Sequence, residues 1–373
     1  MSVTAALPVS GRVSARASVA LGRACDNACV FCAQQGLPRD AATDAAVDAA
    51  LEGARAAGFA GVTFVGGEPA LDPRLPACVA KARAAGFTQV GVQTNGVALS
   101  VEGRLPELAR RGLTDVHLSL HGAEARVHDW HTGAAGSFEA ALRTLGAARA
   151  SGLDVVVVTL LTRSSFRVLS GLPRLLASRG VAGWCVAVPR WRGRAATGSD
   201  QVVPRLALAV PFALHALDAS AHLGLPAFIR GAPACLLGPF AARALAGEER
   251  AFAPACDACP ARPSCVGLDA EYLARFGPQE LTLARPVAAD PGDARLAAMF
   301  VGPGEVATAP TAPVHPPPER ARVALPLLGR PAPAVAEMPA GAPKQSGEAL
   351  RAILPGLFAP MPGDDAPPFT PGR

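Results

Sequence analysis

The sequence predicts an α/β fold: a partial (β/α)6, TIM-like barrel, then a small cysteine-rich C-terminal module and a disordered Pro/Ala-rich tail. Three observations predict it. From Arg16 to about Gly224, short apolar runs alternate with longer Ala-, Leu- and Arg-rich segments of helical periodicity, the pattern of repeated βα units. Val155 to Val158 are apolar at successive positions, as parallel strands covered on both faces require. Beyond Leu225 the alternation fails, and four cysteines gather in a Pro-rich stretch.

Six strands follow from the apolar runs: residues 16–23 (RASVALGR), 61–69 (GVTFVGGEP), 89–96 (QVGVQTNG), 114–122 (TDVHLSLHG), 153–162 (LDVVVVTLLT) and 183–189 (GWCVAVP). Helices are expected over 44–58, 105–112, 137–152 and 166–180, several ending on a glycine that suits a left-handed cap. Six units are too few to close a barrel, and a doubly wound open sheet is the rival arrangement. In both, functional groups gather at the C-terminal ends of the strands. The domains are therefore read as a core over 16–224, a cysteine-rich module over 225–283 and a disordered tail over 284–373. Within the tail, EALRAILPGLF (348–358) is the one stretch with the pattern of a docking helix.

Composition narrows the classes. No run approaches eighteen apolar residues and no apolar block ends at a small-residue cleavage site, so neither a membrane span nor export is expected and the reading is cytoplasmic. The net charge is +5, from 35 basic against 30 acidic residues, and the basic ones are scattered along the chain, not gathered into a stripe with aromatics, so nucleic-acid binding is not indicated. Nine cysteines at clustered spacings favour metal ligation over disulfides.

The first cluster is ACDNACVFCAQQG (24–36), where Cys25, Cys29 and Cys32 follow the first strand and so lie at its C-terminal mouth. At this cysteine frequency chance supplies about 0.005 matches to C-x3-C-x2-C, so the spacing carries information. Three thiolates on one loop can hold three irons of a 4Fe-4S cube and leave the fourth open to chemistry. Zinc with a fourth ligand from elsewhere is the alternative that spacing alone leaves standing. Val30 and Phe31 inside the loop favour a site sheltered from water.

With these residues the sequence resembles the radical SAM superfamily, whose first signature is CxxxCxxC with an aromatic before the last cysteine, as in CDNACVFC. The second signature, glycine-rich and placed at the end of the next strand, is matched by GGEP (Gly66, Gly67, Glu68, Pro69). Two glycines let backbone approach a ligand and offer carbonyls, and Glu68 supplies a carboxylate for an ammonium group. The resemblance implies that this ammonium belongs to S-adenosylmethionine. QTNG (93–96, with Asn95) and SLHG (119–122) end the next strands at the family's positions, and Ser119 is implied as a contact of the methionine carboxylate or ribose. His131, in HDWHTGAAGSF (128–138), stands where many peptide-modifying relatives carry an arginine that pairs with that carboxylate. His131 or Arg126 is the substitute. PRWRGRA (189–195) is similar to the family's segment near the adenine. The resemblance covers about residues 16–200.

The second constellation is CDACPARPSC, with Cys256, Cys259 and Cys265 at C-x2-C-x5-C and Cys235 upstream in APAC. Four ligands permit a closed 4Fe-4S cluster or structural zinc. With Gly267 and Tyr272 the segment resembles part of the SPASM or twitch extensions of radical SAM enzymes. Asp269 stands where another cysteine would complete the pattern, so a single auxiliary cluster is expected, iron–sulfur in preference to zinc. Closed by four thiols it would transfer electrons or brace the module; with one thiol remote it would bind substrate.

Other residues are given plainer roles. Cys78 and Cys185 read as core thiols. Of the four histidines between 117 and 131, His117 reads as a satisfied core residue and His121 as lining the cavity, while His215, His222 and His315 carry no pattern. Glu124 and Asp129 lie near the cavity and read as solvated.

The resemblance implies reductive cleavage of S-adenosylmethionine and hydrogen abstraction by the resulting 5'-deoxyadenosyl radical from a substrate, a peptide or protein before a small molecule. It also implies a one-electron donor such as flavodoxin or ferredoxin. A non-catalytic iron–sulfur scaffold is the reading of another class, and the intact GGEP stands against it.

Overall fold

A computed structural model of the chain describes residues 16–36, 40–198, 202–246, 251–287 and 294–300. Its centre is a parallel sheet in which strand follows strand in chain order. The strands are β1 (Arg16–Gly22), β2 (Gly61–Gly66), β3 (Gln89–Thr94), β4 (Asp115–Ser119), β5 (Asp154–Leu160), β6 (Gly183–Ala187), β7 (Ala227–Arg230) and β8 (Ala244–Leu245). Each pairs with the next and the sheet does not close, so the partial β/α barrel is found.

The sheet runs two strands beyond the six expected from sequence. β7 has four residues and β8 two, too short to register as periodic apolar runs, and both come from the region assigned to the cysteine-rich module.

Between the strands lie α1 (Asp44–Ala56), α2 (Leu75–Ala84), α3 (Arg104–Arg111), α4 (Ala125–Thr132), α5 (Ser137–Ala150), α6 (Leu172–Ser178), the single turn α7 (Arg194–Thr197) and α8 (Leu206–His222). In α1 the side chain of Thr43 caps the first turn by accepting from Ala46 N–H at 3.2 Å, and Val47, Ala50, Leu51 and Ala54 form its buried stripe. The helix expected over 166–180 divides: a 3-10 turn spans Phe166–Gly171, and α6 restarts with Pro173 in its first turn, where a missing N–H costs nothing. Among the described residues no helix is long and apolar enough to cross a membrane.

β5 shows how both faces fill. Val155 and Val157 join the main core beneath the helices, whereas Val156 packs with Cys185, Phe228, Met299 and Phe300 on the other side. Met299 and Phe300 belong to a helix, Ala294–Phe300, and Arg295 of that helix donates to Asp154 at 2.9 Å. This corrects the expectation of disorder from residue 284 onward: apolar residues at its end bury against β5 and β6. The stretch 348–358 and the rest of the tail from 301 lie outside the described residues.

At the N-terminal ends of the strands, away from the cysteine loop, Arg16 grips Asp115 through two bonds of 2.6 Å, with His117 Nε2 at 2.9 Å from Arg16 and 2.8 Å from Asp115. Burial opposes ionisation of Asp115, but its bonds to Arg16 and His117 outweigh that and hold the carboxyl well below the usual range. β2 and β3 lie between the partners, and glycine makes room on both: a Cβ on Gly61 would sit 3.0 Å from Arg16 Nε, and one on Gly91 2.3 Å from Asp115 Oδ1. His117 is thus the partnered core residue expected.

Candidate active site

The loop after β1 is held from three sides. Gly67 N–H donates to the Gly22 carbonyl at 2.9 Å and Glu68 N–H to that of Ala24 at 2.7 Å, joining the loop to the glycine motif. Ala28 and Val30 N–H donate to the carbonyls of Thr132 and His131 at 2.8 and 3.0 Å, joining it to the end of α4. Arg194 N–H donates to Cys32 at 2.9 Å, and the Arg194 guanidinium donates to the carbonyls of Ala28 and Cys29.

These anchors bring Cys25, Cys29 and Cys32 together, each half-buried. Burial pushes the Cys29 thiol up to about 12, helped by the charges of Cys25 and Cys32. It also raises Cys25, with Glu68 and Asp26 adding to the effect. With Cys32 beside these two raised thiols, the loop offers a sulfur-only donor set suited to a soft cationic centre, whose positive charge would stabilise the thiolates. The donor set therefore fits an iron–sulfur cluster.

GGEP lies against the loop. A Cβ on Gly66 would fall 2.1 Å from the Gly22 carbonyl oxygen, and one on Gly67 2.3 Å from that of Ala24. The glycines are needed because the cysteine loop's own backbone crosses them, a requirement more immediate than the approach of a ligand. Gln34, from the same loop, donates to the Gly66 carbonyl at 2.7 Å.

Glu68 departs from its expected role. It is 3% exposed, and its carboxylate accepts from Ala70 N–H at 3.0 Å, Thr94 Oγ1 at 2.8 Å and Asn95 N–H at 2.7 Å. Burial lifts its pKa to about 7 against these three bonds. The side chain ties β2 to β3 and caps the turn begun by Pro69. Asn95 completes the junction, its Nδ2 lying 2.6 Å from Asp26 Oδ1 and 3.8 Å from Cys25 Sγ.

Ser119 ends β4 half-buried, in register with Val158. His131 is not available as the donor expected of it. Its Nδ1–H goes to the Val127 carbonyl at 2.6 Å, so Nε2 is an acceptor, facing the hydroxyls of Thr162 and Ser164 at 2.8 Å each. Burial lowers its pKa and keeps the ring neutral. Arg126, the other candidate, pairs with Glu124 on the exposed surface. Asp129 is also committed, capping α5 through Gly136 N–H, Ser137 Oγ and Phe138 N–H.

His121 lies behind the loop, with Phe31 edge-on at 4.6 Å and His128 stacked at 5.7 Å. His128 Nδ1 accepts the His121 backbone N–H at 3.0 Å. Phe31 thus anchors the loop in an aromatic bed in place of covering it.

Cys235, Cys256, Cys259 and Cys265 line one cavity. N–H groups of Ala234 and Gly267 point at Cys265 Sγ and that of Ala284 at Cys259 Sγ, each at 3.4 Å, the kind of donor that stabilises a thiolate. None of the four is remote, so the donor set fits a closed four-thiolate centre. Among the described residues no three or more His, Cys, Asp or Glu converge on the position of a single ion.

Contacts that sequence reasoning missed join the two regions. Trp191 meets Phe276 of the cysteine-rich module edge-on at 5.8 Å, just before Gly193 and Arg194 clamp the first loop. A Cβ on Gly193 would fall 2.3 Å from the Cys32 carbonyl oxygen. Tyr272 Oη accepts from Leu206 N–H, at the start of α8, and donates to Glu280, both at 2.7 Å. GRA in PRWRGRA was the available signal, and the tertiary contact gives it a different partner from the one resemblance implied.

Residues 19–163 match the model of the Radical SAM superfamily. The AdoMet-dependent heme synthase of Nitratidesulfovibrio vulgaris is 29% identical over 146 residues, 38% of each chain. The PqqA peptide cyclase of Streptomyces rochei is 38% identical over 112 residues, 30% of each chain. The matches thus span well under half the length of these relatives. Streptococcus suis SuiB superposes with a TM-score of 0.50 at 16% identity, over 58% of this chain and 50% of that one. Its form bound to S-adenosylmethionine also gives 0.50, at 15% identity over 64% and 54%. At such identity the likeness is one of fold.

Proposed function

Residues 19–163 of this chain form a Radical SAM superfamily domain, and on that premise we propose that the protein is a radical SAM enzyme acting on a peptide. The observation that carries the reading is the locking of the three-thiol loop against GGEP, through Gly67 to Gly22 and Glu68 to Ala24, at one end of the sheet. Cys25, Cys29 and Cys32 would hold a 4Fe-4S cluster with one iron free of protein ligands. When bound there, the cluster supplies one electron for cleavage of S-adenosylmethionine to methionine and a 5'-deoxyadenosyl radical, which takes a hydrogen atom from the substrate.

The chain's own part is placement and shelter. Arg194 holds the loop's carbonyls and the end of α4 its N–H groups, Asn95 just past β3 and Ser119 at the end of β4 would contact the cofactor from the strand ends, and Phe31 with the neutral histidines keeps water from the loop's inner side. The electron comes from a donor such as flavodoxin or ferredoxin.

Cys235, Cys256, Cys259 and Cys265 are proposed to hold a second 4Fe-4S cluster. The cavity that all four line supports a shared centre. The PqqA peptide cyclase supports a peptide substrate, while the heme synthase supports a second reading, a small molecule.

Anaerobic reconstitution followed by dithionite and S-adenosylmethionine tests the activity. The expected product is 5'-deoxyadenosine, and a yield no higher than that of Cys25→Ala would remove the enzyme reading. Iron and sulfide should each approach about eight per chain; about four of each with one zinc would assign the second site to zinc.

A further inference from the structure

In the cavity lined by Cys235, Cys256, Cys259 and Cys265, Arg262 is the one Lys, Arg, His, Asp or Glu among the described lining residues. Phe252, Ala261, Leu268 and Leu281 make much of the remaining wall apolar, and the lining offers the guanidinium no carboxylate. That guanidinium stays charged at any working pH. Its Nε is buried and has no hydrogen-bond partner. A buried donor left without an acceptor is a cost that folded proteins avoid, and it marks where an acceptor from outside the chain belongs.

Arg262 is also held in place. Its backbone N–H donates to the Cys259 carbonyl at 2.9 Å, and its guanidinium carbon lies 3.3 Å from the centre of the Phe252 ring, which lines the same cavity. A ring face attracts the cation but offers no oxygen or sulfur to accept from Nε. The backbone donors already pointing at Cys259 and Cys265, from Ala234, Gly267 and Ala284, are neutral, so Arg262 brings the cavity its positive charge.

We propose that Arg262 is the counter-cation of the second cluster, with Nε–H donating to one of its sulfurs, and that this charge raises the cluster's reduction potential. The assignment rests on the second-cluster reading given above. Thiolate ligation from all four sides leaves the cluster with net negative charge, and reduction adds an electron to it. A fixed cation in the cavity therefore stabilises the reduced form more than the oxidised one, and apolar walls strengthen the effect.

A redox titration followed by the EPR signal of the reduced cluster tests it. The full chain carries Cys25→Ala, Cys29→Ala and Cys32→Ala, so that only the second cluster is read after anaerobic loading with iron and sulfide. Adding Arg262→Met should lower the midpoint potential by about 60 mV or more, an approximately tenfold loss of preference for the reduced form. Arg262→Lys keeps a charge and an N–H donor and should stay within about threefold, or about 30 mV, of the parent chain.

A midpoint unchanged in Arg262→Met would reduce Arg262 to packing on Phe252 and overturn the proposal. An equal fall in Arg262→Met and Arg262→Lys overturns it too. Iron and zinc per chain show what each variant holds. If Arg262→Met takes up no cluster, Arg262→Gln, neutral but polar, is read in its place: a lowered midpoint supports the counter-cation and an unchanged one overturns it. About one zinc and no reducible signal in the chain with Arg262 intact overturns the second-cluster reading itself, and the redox role of Arg262 with it.

Discussion

The carboxylate of Glu68 accepts the backbone N–H of Asn95 at 2.7 Å, so a buried side chain from the end of β2 fastens the end of β3. The two residues stand 27 positions apart, the first in the glycine motif and the second in a separate strand signature. Their bond makes the two signatures one piece of structure.

Glu68 therefore shapes stability against pH. Its folded pKa of about 7 lies above the ordinary 4.5, so the folded state keeps a proton that the unfolded chain releases. Its contribution is fully present below pH 4.5 and is lost as pH rises to about 7, a change on the order of 3 kcal/mol. Urea midpoints of Glu68→Gln in the metal-free chain should be lower at acid pH and flatter across this window.

The histidine bed acts in the opposite direction. Burial lowers His128 from the ordinary 6.5 to about 4 and lowers His121 well below 6.5. The unfolded chain takes up protons that the folded chain refuses, so this contribution is present above pH 6.5 and is lost as pH falls toward 4, on the order of 3 kcal/mol for His128. His128→Asn keeps an acceptor for His121 N–H and should flatten the acid side of the profile, read by denaturant midpoints between pH 4 and 7.

Gly193 has φ of 56° and faces the Cys32 carbonyl. Gly193→Ala should strain the chain by about 2 kcal/mol or more and displace the loop. Iron bound by the first cysteine set is the readout: the variant should lose much of it while the second set retains its own.

Tyr272 joins the cysteine-rich module to the start of α8. Tyr272→Phe leaves Leu206 N–H without its acceptor and Glu280 with one donor fewer, a loss of about 1–2 kcal/mol that calorimetry should show as a lower Tm. An unchanged Tm would mean that the hydroxyl does not hold the module to the barrel.

Much of the fold was legible because its signals are local. Six strands were marked by apolar runs close to their observed bounds, while β7 and β8 escaped because four and two residues cannot display a period. The two cysteine sets were legible from spacing, and all four members of the second line one cavity. The roles of Glu68 and His131 were not, because residue type shows what a side chain can bond to but not which neighbour reaches it first. His131 shares hydroxyls with Thr162 and Ser164 across 31 and 33 positions of chain, a separation no motif encodes.

The sequence by itself determined the parallel α/β architecture, the three-thiol loop at the first strand's mouth and the glycine motif beside it. These depend on side-chain period and on spacing within a few residues. Only the tertiary structure decided that the two glycines make room for the cysteine loop's backbone, that Arg194 clamps that loop, and that Gln34 keeps a buried oxygen without a partner. Each of those rests on close approach between segments distant in the chain, where hydrogen bonds and excluded volume are settled by packing.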